Sequence, residues 1–134
     1  MNKKALMISL IVLVIILSVV VVILSLDNEN INNIEKKIQI TMSVFDKENN
    51  NIYKEEIKTS EKYLIEVLKD IEELKVITED SDYGEYITSI MDIAQGDNYY
   101  WSYYIDDEYA TVGASSCEIE DGKTYSFKIE KMEY

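Results

Sequence analysis

The stretch from Tyr83 to Tyr109 carries the side chains in this sequence that are best suited to chemistry, and that chemistry is binding. It contains seven of the eleven tyrosines and the single tryptophan. Aromatic rings stack on flat or apolar partners, and a tyrosine hydroxyl adds a polar contact at the rim. The sequence offers no recognisable set of catalytic residues, because the chain has no histidine and no nucleophile–base pair accompanies its many carboxylates. We therefore expect a non-catalytic protein and not an enzyme.

The alternation of a β-strand over 99–105 would divide these aromatic side chains between two faces. One face would carry Tyr99, Trp101, Tyr103 and Ile105, and the other would carry Tyr100, Ser102 and Tyr104. One aromatic face is enough to build a core. The second must be covered by another part of the chain or offered to a partner, so it is the main indication of function.

Composition excludes several classes of function. The segment after residue 26 carries all 26 acidic residues but only 11 of the 13 lysines, so its formal charge is −15 and it should repel nucleic acid. The absence of arginine removes bidentate clamping of phosphate groups. A lone cysteine, Cys117, cannot form an internal disulfide and is expected to be a small buried residue.

The N-terminus predicts a membrane anchor. Ala5–Leu26 is an uncharged run of 22 residues, which as a helix spans about 33 Å against about 30 Å of hydrocarbon. Lys3 and Lys4 precede it, so the N-terminus should be cytoplasmic and the rest extracellular. A cleaved signal peptide is the alternative, but the run is long for one and no Ala-x-Ala site closes it.

Three segments follow from this pattern. Residues 1–26 form the transmembrane anchor, or an uncleaved signal, of a single-pass protein of the cell membrane. Residues 27–36 form a short polar tether, and residues 37–134 form one extracellular domain.

The order of elements in that domain predicts an α+β fold. Strands are expected at 37–45, 52–58, 75–78, 85–90, 99–105 and 124–132, with a polar hairpin tip at 106–108. A helix is expected at 59–74, capped by Ser60, with an apolar stripe formed by Tyr63, Leu64, Val67, Leu68, Ile71 and Leu74. A mixed sheet with one packed helix satisfies this order, which is a β-grasp, or ubiquitin-like, arrangement.

Three segments resemble a known family. Tyr83–Met91, the pair Tyr100-Trp101 with its strand, and Asp121–Thr124 with the alternating strand after it are similar to the C-terminal domain of transcobalamin and intrinsic factor. The same module is found in bacterial surface proteins as transcobalamin-like C-terminal domains of the DUF4430 type. The resemblance covers roughly residues 38–134.

The resemblance implies a β-grasp domain that closes over a corrinoid, such as cobalamin, held against a larger helical domain. Carried over by motif, the implied ligand contacts are Tyr100, Trp101, Ser102 and Tyr103. The tyrosine spacing adds Tyr104 as a fifth candidate on the same strand. No metal site is expected.

Two functions follow as expectations. The first is capture of a small ligand at the cell surface for uptake, with the ligand passed to a membrane transporter or held with another surface protein. The second is a protein–protein interaction module of the cell envelope that uses the same aromatic edge. A concave pocket would favour the ligand, and a flat patch or open strand edge would favour the protein partner.

Overall fold

The chain forms an N-terminal helix and a separate domain of residues 37–134, in a computed structural model that describes residues 2–32 and 36–134. Helix α1 spans Lys3–Asn32. Its part from Lys3 to Ser25 is long and apolar enough to cross a membrane, although a signal sequence at this position would pass the same test. The predicted tether at 27–36 overlaps the end of α1, and its residues 33–35 lie outside the described residues.

The domain has the predicted α+β class, built on a five-stranded mixed sheet. Its strands lie in the order β2 (Asn51–Thr59), β1 (Ile38–Phe45), β8 (Thr124–Lys131), β6 (Tyr99–Ile105) and β7 (Glu108–Tyr109). The first and last strands, β1 and β8, pair in parallel at the centre, with Val44 opposite Phe127. The other pairs, β1 with β2, β8 with β6 and β6 with β7, are antiparallel.

A second sheet of three strands was not expected. It contains β3 (Ile77–Ser81), β4 (Gly84–Ile90) and β5 (Ile93–Ala94) in antiparallel order. The chain after Ile90, where the sequence predicts no strand before residue 99, turns back at once to form β5. The strands of the central region therefore pair with one another before the chain returns to the larger sheet at β6.

Helix α2 is shorter than predicted and begins later. It spans Leu64–Asp70 and is followed by a 3₁₀ turn at Glu72–Leu74. Backbone carbonyls from another segment satisfy its first amides, because Leu64 donates to Cys117 at 2.9 Å and Ile65 to Ala114 at 3.1 Å. Tertiary contacts thus set the start of the helix, and the predicted cap at Ser60 lies outside it.

The core lies between α2 and one face of the large sheet. Alternate residues of β1 and β8 are almost fully buried there, as their patterns predict, and so is most of the helical stripe. The buried members are Ile40, Met42, Val44, Leu64, Val67, Leu68, Leu74, Tyr125, Phe127 and Ile129. Tyr63 and Ile71 complete the stripe as partly buried residues packed against this core.

Three tight turns use left-handed backbone without glycine. Two-residue pairs with positive φ connect β4 to β5, Gly96 to Tyr99 and β6 to β7. These pairs are Met91-Asp92, Asp97-Asn98 and Asp106-Asp107. Positive φ at both central positions matches the twist of hairpin strands, which explains how such short turns fit.

The β6–β7 turn generates a stability prediction. Asp107→Gly should stabilise the full chain by about 0.5–1 kcal/mol, because glycine adopts positive φ without steric cost. The measurement is the urea midpoint of the domain in detergent micelles. Asp106→Gly is the matched control and should lower the midpoint, because the Asp106 carboxylate accepts the Thr124 amide at 2.9 Å. A lower midpoint for Asp107→Gly would contradict the prediction.

Candidate functional site

Two of the five candidate residues, Trp101 and Tyr103, face the core side of β6. Tyr103 is only 8% exposed, and its ring stacks on Phe127 with 5.3 Å between ring centroids. Its hydroxyl donates to the Val112 carbonyl at 2.5 Å. The Trp101 indole N–H donates to the Ile93 carbonyl at 2.9 Å. Both side chains therefore hold neighbouring segments against β6.

Burial keeps the ionisable groups beneath β6 neutral. Desolvation, followed by contact with the Cys117 thiol, raises the pKa of Tyr103 far above its usual range. Burial likewise raises the pKa of the Cys117 thiol, which confirms the expectation of a small buried residue. A neutral thiol away from solvent is a poor nucleophile, so these two residues contribute packing.

The other three candidates, Tyr100, Ser102 and Tyr104, lie on the opposite face of β6 around Glu130. Ser102 donates to one carboxylate oxygen at 2.6 Å, and the Tyr104 hydroxyl donates to the other at 2.8 Å. The hydrogen bond to Glu130, and then burial, raise the pKa of Tyr104 to about 12. The five predicted residues are thus divided between two faces of one strand, although Trp101, Ser102 and Tyr103 all line one groove at its edge.

A concave groove lies along the edge of β6 that faces away from β8. This edge groove has a volume of about 330 Å³. One wall comes from β4 and another from the segment after β7, and the floor includes Trp101. Its lining is Glu85, Tyr86, Ile87, Gln95, Trp101, Ser102, Tyr103, Tyr109, Ala110, Thr111, Val112, Gly113, Ala114 and Phe127.

Three of the domain's large exposed apolar side chains surround the edge groove. Tyr86 is 41% exposed, Tyr109 is 57% exposed and Val112 is 51% exposed. Apolar groups left in water beside a cleft are typical of a binding site. The sequence pattern does not predict these three residues as ligand contacts, although Tyr86 and Tyr109 belong to the tyrosine-rich stretch from Tyr83 to Tyr109.

Specific contacts hold the two walls of the edge groove in place. On the β4 side, Glu85 forms an ion pair with Lys69 of α2 and accepts a hydrogen bond from Thr78, and both contacts lower its pKa. Gly84 has a φ of +107°, and a Cβ there would meet the Ser115 hydroxyl at 2.7 Å. On the other side, the Ala110 amide donates to the Tyr103 carbonyl at 3.0 Å.

Acidic side chains in the turns serve local structure. Asp106 accepts the Thr124 amide and forms an ion pair with Lys123 at 3.1 Å. Asp46 accepts backbone amides of Glu48 and Asn50 at 3.0 and 2.8 Å. Across residues 2–25 and 36–134, no three carboxylate or thiol groups are placed to hold a metal ion together.

Two solved structures with a similar fold carry descriptions that mention binding or a bound ligand. One, from Ruminococcus gnavus and provisionally described as metal binding, has a TM-score of 0.65 at 26% identity, covering 72% of this chain and 99% of its own. Another is haptocorrin in complex with cobinamide, with a TM-score of 0.63 at 21% identity and 74% of this chain covered.

The likeness to haptocorrin is one of fold over part of that protein. This chain corresponds to 26% of haptocorrin's length. No curated protein matches the chain.

A family model matches most of the domain. The match covers residues 42–131, from within β1 to the end of β8, and its description is a domain of unknown function. It includes β6 and every residue that lines the edge groove. The sequence segments that suggested this family therefore identified it correctly, and the chain belongs to the DUF4430 family.

Proposed function

We propose that residues 37–134 are a non-catalytic binding domain that captures a small, largely neutral ligand in the edge groove. The observation that carries this proposal is the grouping of exposed Tyr86, Tyr109 and Val112 around a concave cleft floored by Trp101. Burying these side chains against a ligand would remove apolar surface from water, at about 25 cal/mol per Å².

A corrinoid is the first ligand to test. The fold shared with haptocorrin, which was solved with cobinamide, supports this choice. Ligand pockets usually enclose about 300–1,000 Å³, and the edge groove lies at the lower end of that range. A corrinoid would therefore be only partly covered, so a transporter or a second surface protein would cover the remainder.

The domain would work outside the cell on a membrane anchor. Helix α1 supplies a span of sufficient length, and Lys3 and Lys4 favour a cytoplasmic N-terminus. The fold is assigned to the β-grasp type, and the order β2-β1-β8-β6-β7 with a parallel central pair supports this assignment. In this arrangement the domain collects the ligand at the cell surface for uptake.

A protein–protein interaction module is the second candidate function, and a different surface favours it. Strand β3 is an edge of the small sheet, where Ile77 is 58% exposed. Tyr83, in the turn to β4, is 96% exposed. An edge strand beside exposed apolar groups can add a strand from another protein.

Binding to the edge groove can be measured by equilibrium dialysis of cobinamide against the full chain in detergent micelles. Tyr86→Ala and Tyr109→Ala should each weaken binding about tenfold, because each loses an aromatic contact. Tyr83→Ala is the matched control and should bind as the original protein does, since Tyr83 does not line the groove.

No saturable binding up to about 1 mM, an affinity weaker than about −4 kcal/mol, would exclude corrinoid capture by this domain alone. An equal loss of cobinamide binding in Tyr83→Ala would instead move the ligand site to the β3–β4 hairpin and overturn its assignment to the edge groove. Empty micelles correct for partition of the ligand into detergent.

A ligand could instead stack on the opposite face of β6, where the hydroxyls of Ser102 and Tyr104 already donate to Glu130. Glu130→Gln should move the titration of Tyr104 from about 12 toward the ordinary tyrosine value of about 10. The measurement is the near-ultraviolet absorbance of ionised tyrosine, with Tyr104→Phe identifying the Tyr104 component. An unchanged Tyr104 titration would show that Glu130 does not control it.

The raised pKa of Tyr104 also makes the stability of the folded domain depend on pH. As the pH rises, Tyr104 ionises in the unfolded chain before it ionises in the folded domain. The contribution of the Tyr104 hydrogen bond to stability is therefore complete below about pH 10. The contribution is lost as the pH rises through the folded value of about 12.

A further inference from the structure

One backbone position on β6 is open to the edge groove. The Tyr99 carbonyl accepts from Gly96 at 3.0 Å and the Tyr103 carbonyl accepts from Ala110 at 3.0 Å, both on the side away from β8. Backbone groups of alternate strand residues point to the same side. The N–H and C=O of Trp101, midway between these two residues, must therefore also point away from β8.

No strand among the described residues pairs with Trp101 on that side. Strand β7 pairs only with Tyr104 and Ile105, and β4 belongs to the other sheet. Trp101 itself lines the edge groove. One backbone donor and one backbone acceptor of a residue that lines the edge groove thus have no strand partner on this side.

We propose that this pair recognises an amide group of the ligand, an inference that rests on the proposed binding function of the edge groove. An amide can donate to the Trp101 carbonyl and accept from the Trp101 N–H at the same time. A carboxylate would place an acceptor against the carbonyl oxygen, and an ester would leave that oxygen without a donor. The backbone pair therefore selects amides over their acid and ester analogues.

The charges in the groove agree with a neutral ligand. Glu85 is the only charged residue in the lining, and it is already paired with Lys69. The domain as a whole is strongly acidic, so an anionic ligand would be repelled. Two sources could supply the neutral amide, namely the carboxamide side chains at the rim of a corrinoid or the backbone of an extended peptide.

The first arm of the test changes one atom of the protein. Replacing Trp101 by its α-hydroxy acid analogue in the full chain converts its backbone N–H to an ester oxygen and keeps the indole. The matched control places the same change at Tyr100, which does not line the groove and whose backbone points toward β8. This change leaves both the N–H and the carbonyl of Trp101 intact. The melting temperature should fall more for the Tyr100 ester, because that change removes a sheet hydrogen bond.

The second arm changes the ligand. The probes are cobinamide, the neutral heptamethyl ester of cobyrinic acid, and the blocked peptide acetyl-tetra-alanine amide. Binding of cobinamide should weaken about tenfold in the Trp101 ester variant, the effect of one lost hydrogen bond. The heptamethyl ester should bind the original protein about tenfold more weakly than cobinamide does, because it lacks amide donors.

The outcomes separate this inference from the proposal on which it rests. In one outcome, cobinamide binding depends on Tyr86 but is unchanged in the Trp101 ester variant, and the heptamethyl ester binds as tightly as cobinamide. This outcome overturns amide recognition and leaves the proposed binding function intact. In a second outcome, only the peptide binds, and the Trp101 ester variant binds it more weakly. This outcome supports amide recognition and excludes a corrinoid as the ligand. Failure of all three probes to bind overturns both.

Discussion

The contacts of Tyr103 connect the core of the domain to its candidate site. Its ring packs on Phe127 of the central strand β8, while its hydroxyl fixes the Val112 carbonyl in the groove wall. Such aromatic pairs contribute about 0.5–1.5 kcal/mol beyond the area that they bury. Because the same side chain serves both regions, the shape of the groove depends on the packing beneath the large sheet.

The elements set by local pattern were predictable from the sequence. Strand β6 has the bounds that its aromatic alternation predicts, and the alternating residues of β1 and β8 face the core as expected. The elements set by distant contacts were not predictable. Helix α2 begins where the carbonyls of Ala114 and Cys117 accept its first amides, and these two residues lie far from Leu64 in the sequence.

The second sheet escaped prediction for a related reason. The turn after Ile90 uses Met91 and Asp92 in left-handed backbone, where the usual sequence signal would include glycine. The candidate site was likewise predicted only in part. The aromatic stretch was the correct region, but a single strand cannot reveal that β4 and the segment after Ala110 would form walls along its edge. Tyr86, Tyr109 and Val112 gain their importance from that juxtaposition.

The parallel pairing of β1 with β8 has a mechanical consequence. Residues 41–45 of β1 lie in register with residues 124–128 of β8, and both strands run in the same direction. A force applied between the start of β1 and the end of β8 therefore pulls the two strands lengthwise past each other. Their hydrogen bonds are loaded in shear and share the force, whereas a hairpin pulled from its open end breaks one bond at a time. Such a domain would resist tension along the chain better than its size suggests.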